Sequence, residues 1–163
     1  MIRIGLGIDV HQFTSGRPLI LGGVVVPYQF GLAGHSDADV LSHAIIDALL
    51  GAASLGDIGQ HFPDTDPLYK DISSLVLLAR VGKMIMQKGF VIKNIDATLV
   101  MESPRMSPFI FHCCKNIATS LEIEIESVSV KATTTEAMGA IGRREGIAAL
   151  AVALIERAEK RES

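Results

Sequence analysis

Hydrophobic and polar positions follow two different periods along the chain. Alternating and β-branched residues predict strands over residues 1–13, 90–101 and 128–132, and a hairpin over 18–28. Apolar residues at helical spacing predict helices over residues 36–54, 72–88 and 107–121. Polar stretches with glycine or proline predict loops over residues 30–34 and 56–70.

The ends of the predicted helices carry capping residues. Ser36 or Asp37 can cap the first helix, because short polar side chains accept hydrogen bonds from the free N–H groups. Gly89 suits the C-terminus of the second helix, and Pro108 suits the first turn of the third. These signals favour three separate helices.

The last apolar stretch, Gly146 to Glu156, alternates alanine with isoleucine, leucine and valine. This pattern fits either a buried strand or a helix, and periodicity alone leaves both open. The order of elements predicts an α/β fold of the α+β type, with helices packed on one face of a mixed β-sheet. No repeat or linker interrupts the pattern, so we expect a single domain over residues 1–163.

Composition adds a prediction about assembly. Of the 163 residues, 48% are apolar, and the mean hydropathy of +0.37 is high for a soluble monomer. We therefore expect an apolar face to be buried against another copy of the chain. The net charge of −3 lacks the basic footprint of a nucleic-acid-binding protein. The longest charge-free run, Pro18 to Ser36, is broken by glycines and Pro27, so no membrane span is expected.

The cysteines indicate a compartment. Cys113 and Cys114 are the chain's only cysteines and are adjacent, so no disulfide framework is available. A reducing cytoplasm is the expected location. The N-terminal stretch does not follow the order of a signal peptide, because Arg3 leads into a mixed strand that carries Asp9.

The most specific chemical pattern joins the first strand to the first helix. Asp9 and His11 are two residues apart in a predicted strand, so their side chains point to one face. His43 follows Asp39 by four residues on the predicted helix, so these two also share a face. Asp, His and His are ligands of Zn²⁺ in catalytic sites that keep one position open. We predict a divalent-metal centre at Asp9, His11 and His43, with Asp39 orienting His43.

Each candidate also has an ordinary structural interpretation. A histidine taken singly is more often structural than a metal ligand, and Asp39 suits a helix start for electrostatic reasons. His35-Ser36 can cap a helix or receive a phosphate. Thr133 to Glu136 fits a capping box or a phosphate and Mg²⁺ site. Arg143-Arg144 fits a solvated surface pair or an anion clamp.

Six short motifs together resemble those of the 2-C-methyl-D-erythritol 2,4-cyclodiphosphate synthase family. They occur in family order and span nearly the whole chain, which makes the match specific. The motifs are Gly7-Ile8-Asp9-Val10-His11, Gly34-His35-Ser36-Asp37-Ala38-Asp39 with His43, Gly56-Asp57-Ile58-Gly59, His61-Phe62-Pro63-Asp64-Thr65-Asp66, Lys131-Ala132-Thr133-Thr134-Thr135-Glu136 and Gly142-Arg143.

The resemblance implies roles for individual residues of this chain. The implied ligands of a divalent metal, usually Zn²⁺, are Asp9, His11 and His43. Glu136 would bind a second ion, Mg²⁺ or Mn²⁺, at the substrate diphosphate. His35 and Thr134 would be catalytic and would steady the transition state.

The resemblance also implies two groups of substrate contacts. The contacts with the methylerythritol phosphate part are Asp9, His11, His35, Ser36, Asp57, Ile58, Gly59, Phe62, Pro63, Asp64, Thr65 and Asp66. The contacts with the cytidine diphosphate part are Met101, Glu102, Ser103, Pro104, Arg105, Met106, Ser107, Thr133, Thr134, Thr135 and Glu136, with Arg143 near the phosphates.

The family is homotrimeric, with active sites between neighbouring subunits, which would account for the apolar excess. It also implies that Gly146 to Glu156 is a strand. Ala38 departs from the family pattern, where glycine is usual, and Arg105 departs where lysine is common. Ala140 stands where phenylalanine is frequent near the trimer axis, on which some members bind isoprenoid phosphates. This last departure puts the axial ligand in doubt and not the chemistry.

The implied reaction is that of a phosphorus–oxygen lyase of isoprenoid biosynthesis. The 2-phosphate of 4-diphosphocytidyl-2-C-methyl-D-erythritol 2-phosphate attacks the β-phosphorus, which closes the cyclic diphosphate and releases CMP. A phosphate monoester has a second pKa of about 6, so this nucleophile is mostly ionised at neutral pH and needs no protein base. Two rivals stay open: a metal-dependent phosphohydrolase, and a non-catalytic trimeric module that binds isoprenoid phosphates.

Overall fold

The computed structural model describes residues 1–158, which form a mixed sheet with flanking helices. The strands are β1 (Ile2–Thr14), β2 (Leu19–Leu21), β3 (Val24–Val26), β4 (Gly31–Leu32), β5 (Phe90–Val100), β6 (Val128–Thr133) and β7 (Gly146–Arg157). The α-helices are α1 (Val40–Ala52), α2 (Ile58–His61), α3 (Ser74–Gln87), α4 (Ile110–Leu121) and α5 (Gly139–Gly142). Short 3-10 turns occupy Pro67–Tyr69 and Ile125–Ser127.

Five strands form one sheet in the order β4-β1-β7-β5-β6. β7 pairs antiparallel with β1 and β5, and β6 joins β5 in parallel, so the sheet is mixed as predicted. β2 and β3 form the separate hairpin expected around Gly22-Gly23. Gly146 to Glu156 lies within β7 at the centre of the sheet, which confirms the strand and excludes the helix.

The helices cover one face of the sheet, and α1 packs across β1 and β7. Gly7 on β1 permits this packing, because a Cβ there would lie 1.9 Å from the Ala44 carbonyl oxygen of α1. The helix-facing side of β7 is made of small residues over the same stretch, namely the buried alanines 149, 151 and 153. Since His43 precedes Ala44, this close approach carries His43 towards β1.

The opposite face of β1 is apolar and open to solvent. Its outward side chains are 55–67% exposed and form what we call the β1 apolar stripe, which consists of Ile2, Ile4, Leu6, Ile8 and Val10. Leu150 and Val152 extend the apolar surface onto β7. A contiguous exposed apolar patch of this kind is typical of an interaction surface. Its position agrees with the predicted burial against another copy, and that association stays a prediction.

The first helix starts later than predicted. α1 begins at Val40 and not at Ser36 or Asp37, because Asp39 is the N-cap and its carboxylate accepts the Ser42 N–H at 3.2 Å. The preference for a short polar N-cap residue holds, but Ser36, Asp37 and Asp39 all satisfy it, and the sequence did not show which one is the cap.

Three other predictions of local structure also differ from what is observed. α4 begins at Ile110, and Pro108 lies in the preceding turn instead of the helix. The predicted loop over residues 30–34 contains β4, because the long β1 extends far enough to pair with it. Thr133 ends β6, so the capping-box interpretation of Thr133 to Glu136 is wrong; α5 starts only at Gly139.

Candidate functional site

Asp9, His11 and His43 converge where β1 passes the start of α1. The Asp9 Oδ2 atom lies 2.8 Å from His11 Nε2 and 3.1 Å from His43 Nδ1, and the two nitrogens are 3.2 Å apart. One ligand atom from each residue therefore falls within 4.8 Å of the others. A carboxylate and two imidazoles at this spacing can surround one divalent cation. The three residues form a possible metal site, as their spacing in the sequence predicted.

Each imidazole has a further partner on its outer nitrogen. His11 Nδ1 donates to the Ala33 carbonyl oxygen, which can only accept, so Nε2 of the neutral ring keeps its lone pair. His43 Nε2 lies 2.9 Å from Ser74 Oγ and 3.1 Å from Ser36 Oγ. Partners of this kind hold metal-binding imidazoles in a fixed orientation.

The charges of the cluster suit a cation. Burial alone would raise the pKa of Asp9, but its contacts with the His11 and His43 imidazoles outweigh it and hold that pKa well below its usual range. Burial would lower the pKa of His11, but the adjacent Asp9 carboxylate outweighs it and raises that pKa. Asp9 therefore stays ionised, and its negative charge faces the space between the two imidazoles.

Asp39 does not orient His43, and that prediction is wrong. Its carboxylate accepts the N–H groups of Gly22 and Gly23 at 2.9 and 2.8 Å, and the Ser42 hydroxyl at 2.7 Å. Complete burial raises the pKa of Asp39 despite these hydrogen bonds. Asp39 ties the β2–β3 hairpin to the start of α1, so the helix-start interpretation is the correct one.

A cavity of about 420 Å³, the first cavity, opens beside the metal-ligand cluster. Most of its lining comes from the predicted residues Asp9, His11, His35, Ser36, His43, Ile58, Gly59, Phe62, Pro63 and Asp64. Sequence reasoning missed three lining residues, Gly34, Tyr69 and Leu77. Tyr69 lies in a 3-10 turn and Leu77 lies in α3. Nothing in the sequence pattern distinguishes either residue from a core residue.

Three predicted contacts do not line the first cavity, namely Asp57, Thr65 and Asp66. Asp57 caps α2 by accepting the Gln60 N–H at 3.0 Å, and Asp66 caps a 3-10 turn by accepting the Leu68 N–H at 2.9 Å. The Asp66 carbonyl oxygen also accepts a hydrogen bond from His35 Nε2 at 2.9 Å. These acids shape the loop beside the cavity, and their contact with a substrate stays a prediction.

A second cavity of about 300 Å³ lies where the parallel strands β5 and β6 end at the same edge. Its lining is Met101, Glu102, Pro104, Arg105, Met106, Ala132, Thr133 and Thr134, all but Ala132 predicted as nucleotide contacts. Ser103 and Ser107 are outside this lining; the Ser103 hydroxyl is buried without a hydrogen-bond partner among residues 1–158. The two cavities have no lining residue in common.

Glu102 anchors the loop that carries Thr134 and Glu136. Its carboxylate accepts the N–H groups of Thr135 and Ala137 at 2.9 and 3.3 Å, and the Thr135 hydroxyl at 3.1 Å. The Thr135 N–H is the main cause that holds the pKa of Glu102 below its usual range. Glu136 has a φ of 52°, is exposed, and accepts the Thr134 hydroxyl at 3.0 Å.

Arg143 lies outside both cavities, and Ser74 was not singled out from the sequence. Arg143 is exposed, lines neither cavity, and donates from Nε to the Glu145 carboxylate at 2.7 Å. Ser74 is fully buried against His43, although 31 residues separate the two. Only the tertiary packing of α3 brings Ser74 to the site, so no local pattern could have indicated it.

No helix formed by residues 1–158 combines the length and the apolar character that a bilayer crossing requires.

Comparison with known proteins gives consistent results. The family model described as the YgbB family matches residues 2–156. A 2-C-methyl-D-erythritol 2,4-cyclodiphosphate synthase from Chlorobium phaeobacteroides is 61% identical over 155 residues, which cover 95% of this chain and 98% of that protein.

Solved structures agree with this similarity. The bifunctional IspDF of Campylobacter jejuni superposes with a TM-score of 0.94 at 43% identity; the match covers 98% of this chain and 43% of that longer one. The CDP complex of Plasmodium falciparum IspF superposes with a TM-score of 0.84 at 33% identity and covers 97% of both chains.

Proposed function

Because the chain belongs to the YgbB family, whose similar relatives are 2-C-methyl-D-erythritol 2,4-cyclodiphosphate synthases, we propose how its residues divide the work of that reaction. The activity is the conversion of 4-diphosphocytidyl-2-C-methyl-D-erythritol 2-phosphate to the 2,4-cyclodiphosphate, with release of CMP, in isoprenoid biosynthesis. The observation that carries the assignment of roles is the convergence of Asp9, His11 and His43.

The donor set of this cluster fits Zn²⁺ or another divalent cation. One carboxylate and two imidazoles are hard-to-borderline ligands, and three protein ligands leave a position open for a substrate oxygen. A bound ion would supply Lewis-acid polarisation of a phosphate oxygen. The chain's part is to hold Asp9 ionised and to keep both rings oriented through Ala33 and Ser74.

The remaining roles concern orientation and charge. The substrate must fold so that its own 2-phosphate reaches the β-phosphorus, and held geometry of this kind contributes roughly 7–11 kcal/mol in the best cases. We assign the first cavity to the methylerythritol phosphate part, with His35 beside the transferred group. Glu136 would hold Mg²⁺ or Mn²⁺ against the diphosphate, and Thr134 would contact the phosphates.

We assign the second cavity to the cytidine diphosphate part and place it beside the first cavity of a neighbouring copy. The cavities share no residue within one chain, and the β1 apolar stripe offers a surface for self-association. The Plasmodium falciparum relative, which binds CDP, supports the nucleotide assignment. The expected assembly is a homotrimer, and an isoprenoid phosphate on its axis would meet Ala140 in place of a bulkier side chain.

The cytoplasm is the compartment that we propose. Cys113 and Cys114 are buried free thiols, which is the state that a reducing compartment maintains. Burial raises the pKa of the Cys113 thiol to about 12, so this cysteine is unreactive at neutral pH.

The decisive experiment is incubation with the cytidylyl substrate, Zn²⁺ and Mg²⁺ in ¹⁸O-labelled water. We expect stoichiometric CMP and cyclic diphosphate, with no solvent oxygen in either product. Incorporation of ¹⁸O would favour the phosphohydrolase, in which the open metal position activates water. Binding without release of CMP would favour the non-catalytic module.

A further inference from the structure

The outer nitrogen of His43 begins a hydrogen-bonded chain that continues through Ser74 to the Asp37 carboxylate. His43 Nε2 lies 2.9 Å from the hydroxyl of Ser74, the first residue of α3. The Ser74 hydroxyl donates to one oxygen of the Asp37 carboxylate, and the Ser74 N–H donates to the other at 3.0 Å. Ser74 is fully buried and His43 nearly so, which limits competition from bulk water.

The directions of these hydrogen bonds follow from counting protons. An ionised carboxylate can only accept, so the single hydroxyl proton of Ser74 is committed to Asp37. The Ser74 oxygen must then accept a proton from His43 Nε2, because two facing lone pairs at 2.9 Å would repel each other. With a cation between His43 and Asp9, the neutral ring would then direct its Nδ1 lone pair at that cation, because Nδ1 is the atom that faces Asp9.

Ser36 does not alter this assignment. Its hydroxyl oxygen lies 3.1 Å from His43 Nε2 and accepts the Ala38 N–H at 3.2 Å. It can therefore serve as a second acceptor for the same imidazole proton. Ser74 decides the tautomer because its hydroxyl proton is donated to Asp37 and cannot also be donated to His43.

We propose that Asp37 and Ser74 are positioning residues that fix His43 in the tautomer whose Nδ1 can bind the divalent cation. The inference rests on the proposed metal-binding role of the cluster and assigns the orienting carboxylate to Asp37, acting through a hydroxyl. His11 is fixed in the opposite tautomer by the Ala33 carbonyl oxygen. The two imidazoles thus present different ring nitrogens to one ion.

The backbone holds this arrangement independently of the Ser74 side chain. The Asp37 N–H donates to the Ile72 carbonyl at 3.0 Å, and the Asp71 N–H donates to the His35 carbonyl at 2.8 Å. Removal of the Ser74 hydroxyl therefore leaves the two segments joined. A substitution at Ser74 tests the direction of the proton and not the presence of the fold.

The test compares Ser74→Ala with Ser73→Ala. Ser73 is the neighbouring serine at the N-cap of α3, is exposed, and makes no capping hydrogen bond with its side chain. Zinc affinity is measured by competition with a chromophoric chelator. Ser74→Ala is expected to raise the Kd for Zn²⁺ about 10–100-fold, the usual loss when a partner of a ligating histidine is removed. Ser73→Ala is expected to leave the Kd unchanged.

A spectroscopic measurement separates positioning from a merely structural role. In protein that carries ¹⁵N-labelled histidine and is loaded with Zn²⁺, we expect the Nε2–H proton of His43 to be hydrogen-bonded and slow to exchange with water. Ser74→Ala should speed this exchange and move the proton resonance upfield, and Asp37→Asn should do the same, because an amide can donate and frees the Ser74 proton. Thermal unfolding of the metal-free variants checks that each one folds.

The outcomes distinguish this inference from the proposed function. A wild-type chain that does not bind Zn²⁺ would overturn the metal centre and the inference with it. A wild-type chain that binds Zn²⁺, together with a Ser74→Ala variant of equal affinity and unchanged exchange of the His43 Nε2 proton, would overturn the positioning role alone. Should Ser74→Ala fail to fold, the same two readouts on Asp37→Asn decide the question.

Discussion

The two cavities differ in how firmly a single chain holds their functional side chains in place. Beside the first cavity, Asp9, His11 and His43 contact one another, and each imidazole has a hydrogen-bond partner on its outer nitrogen. At the second cavity, Thr134 and Glu136 are exposed and hydrogen-bond to each other. The side chains of the first site are held in place without a ligand. The second site presents an anchored loop whose functional groups are exposed to solvent.

Under the proposed function, this difference marks the second cavity as the part that a second copy of the chain would complete. A preorganised cluster loses little conformational entropy when it binds an ion, so a single chain suffices for the metal. The loop that carries Thr134 and Glu136 is anchored by Glu102, and the second cavity has no lining residue in common with the first cavity of the same chain. Four substitutions test this contrast.

The largest effect is expected for His43→Ala. Loss of one ligand should remove most bound zinc and reduce kcat by at least about 10³-fold, since metal ions supply several kcal/mol of charge stabilisation. Bound metal is measured by elemental analysis and turnover by CMP release. His112→Ala, a histidine exposed on α4, is the matched control. A variant that keeps both zinc and activity would contradict the ligand role.

Leu6→Glu should separate the two halves of the active site. Leu6 is 61% exposed in the β1 apolar stripe, and a charge there would have to be buried if copies associate through that face. Burial of an unpaired charge costs the association several kcal/mol, so we expect a monomer. This monomer should still bind zinc but should turn over about 10²-fold more slowly. Sedimentation velocity, zinc binding and CMP release are measured together. Met86→Glu, on the exposed side of α3, is the control, and an active Leu6→Glu monomer would refute the shared site.

Glu136→Gln should act on the phosphate side alone. Zinc affinity should stay at the wild-type value, while Mg²⁺-dependent turnover should fall about 10²-fold, because a neutral amide is a poor Mg²⁺ ligand. Activity is titrated against Mg²⁺ at saturating Zn²⁺. Glu126→Gln, an exposed glutamate in a 3-10 turn, should titrate like the wild type. An unaltered Mg²⁺ response in Glu136→Gln would count against the second ion at this residue.

The smallest effect is expected for Glu102→Gln. The amide oxygen can take the place of the one carboxylate oxygen that accepts all three contacts, but the charge that strengthens them is lost. KM for the cytidylyl substrate should rise about 10-fold, the scale of one weakened hydrogen bond to a charged group, with kcat nearly constant. Glu124→Gln serves as the control, because Glu124 is exposed and makes no capping hydrogen bond with its side chain. A fall in kcat at constant KM would instead place Glu102 in the chemistry.

Local spacing was enough to pair two residues of the possible metal site. Asp9 and His11 share a face because a strand alternates its side chains, and this holds in the structure. The same kind of reasoning failed for Asp39, which precedes the helix as its cap and turns its carboxylate towards the β2–β3 hairpin. Helical spacing applies only within a helix, and the sequence offered several plausible first residues.

Contacts between distant elements could not be obtained in this way. Ser74 meets His43 across 31 residues because α3 packs beside α1, and a serine at a helix start predicts nothing more than a cap. The strand at Gly146 to Glu156 was likewise undecided by its pattern, since its outward face also carries apolar residues such as Leu150 and Val152, so hydrophobicity does not alternate although burial does. The resemblance to a family resolved what periodicity could not.

The backbone contact between β1 and α1 makes the metal position a property of the main chain. A Cβ on Gly5 or Gly7 would lie 1.9 Å from a carbonyl oxygen of α1. No change of rotamer can relieve such a contact, so the gap between the ligands on the strand and the ligand on the helix is set by the thickness of two polypeptide backbones. A change in the metal that this site prefers would therefore require other ligand types or altered loops, because the distance between the two backbones cannot change.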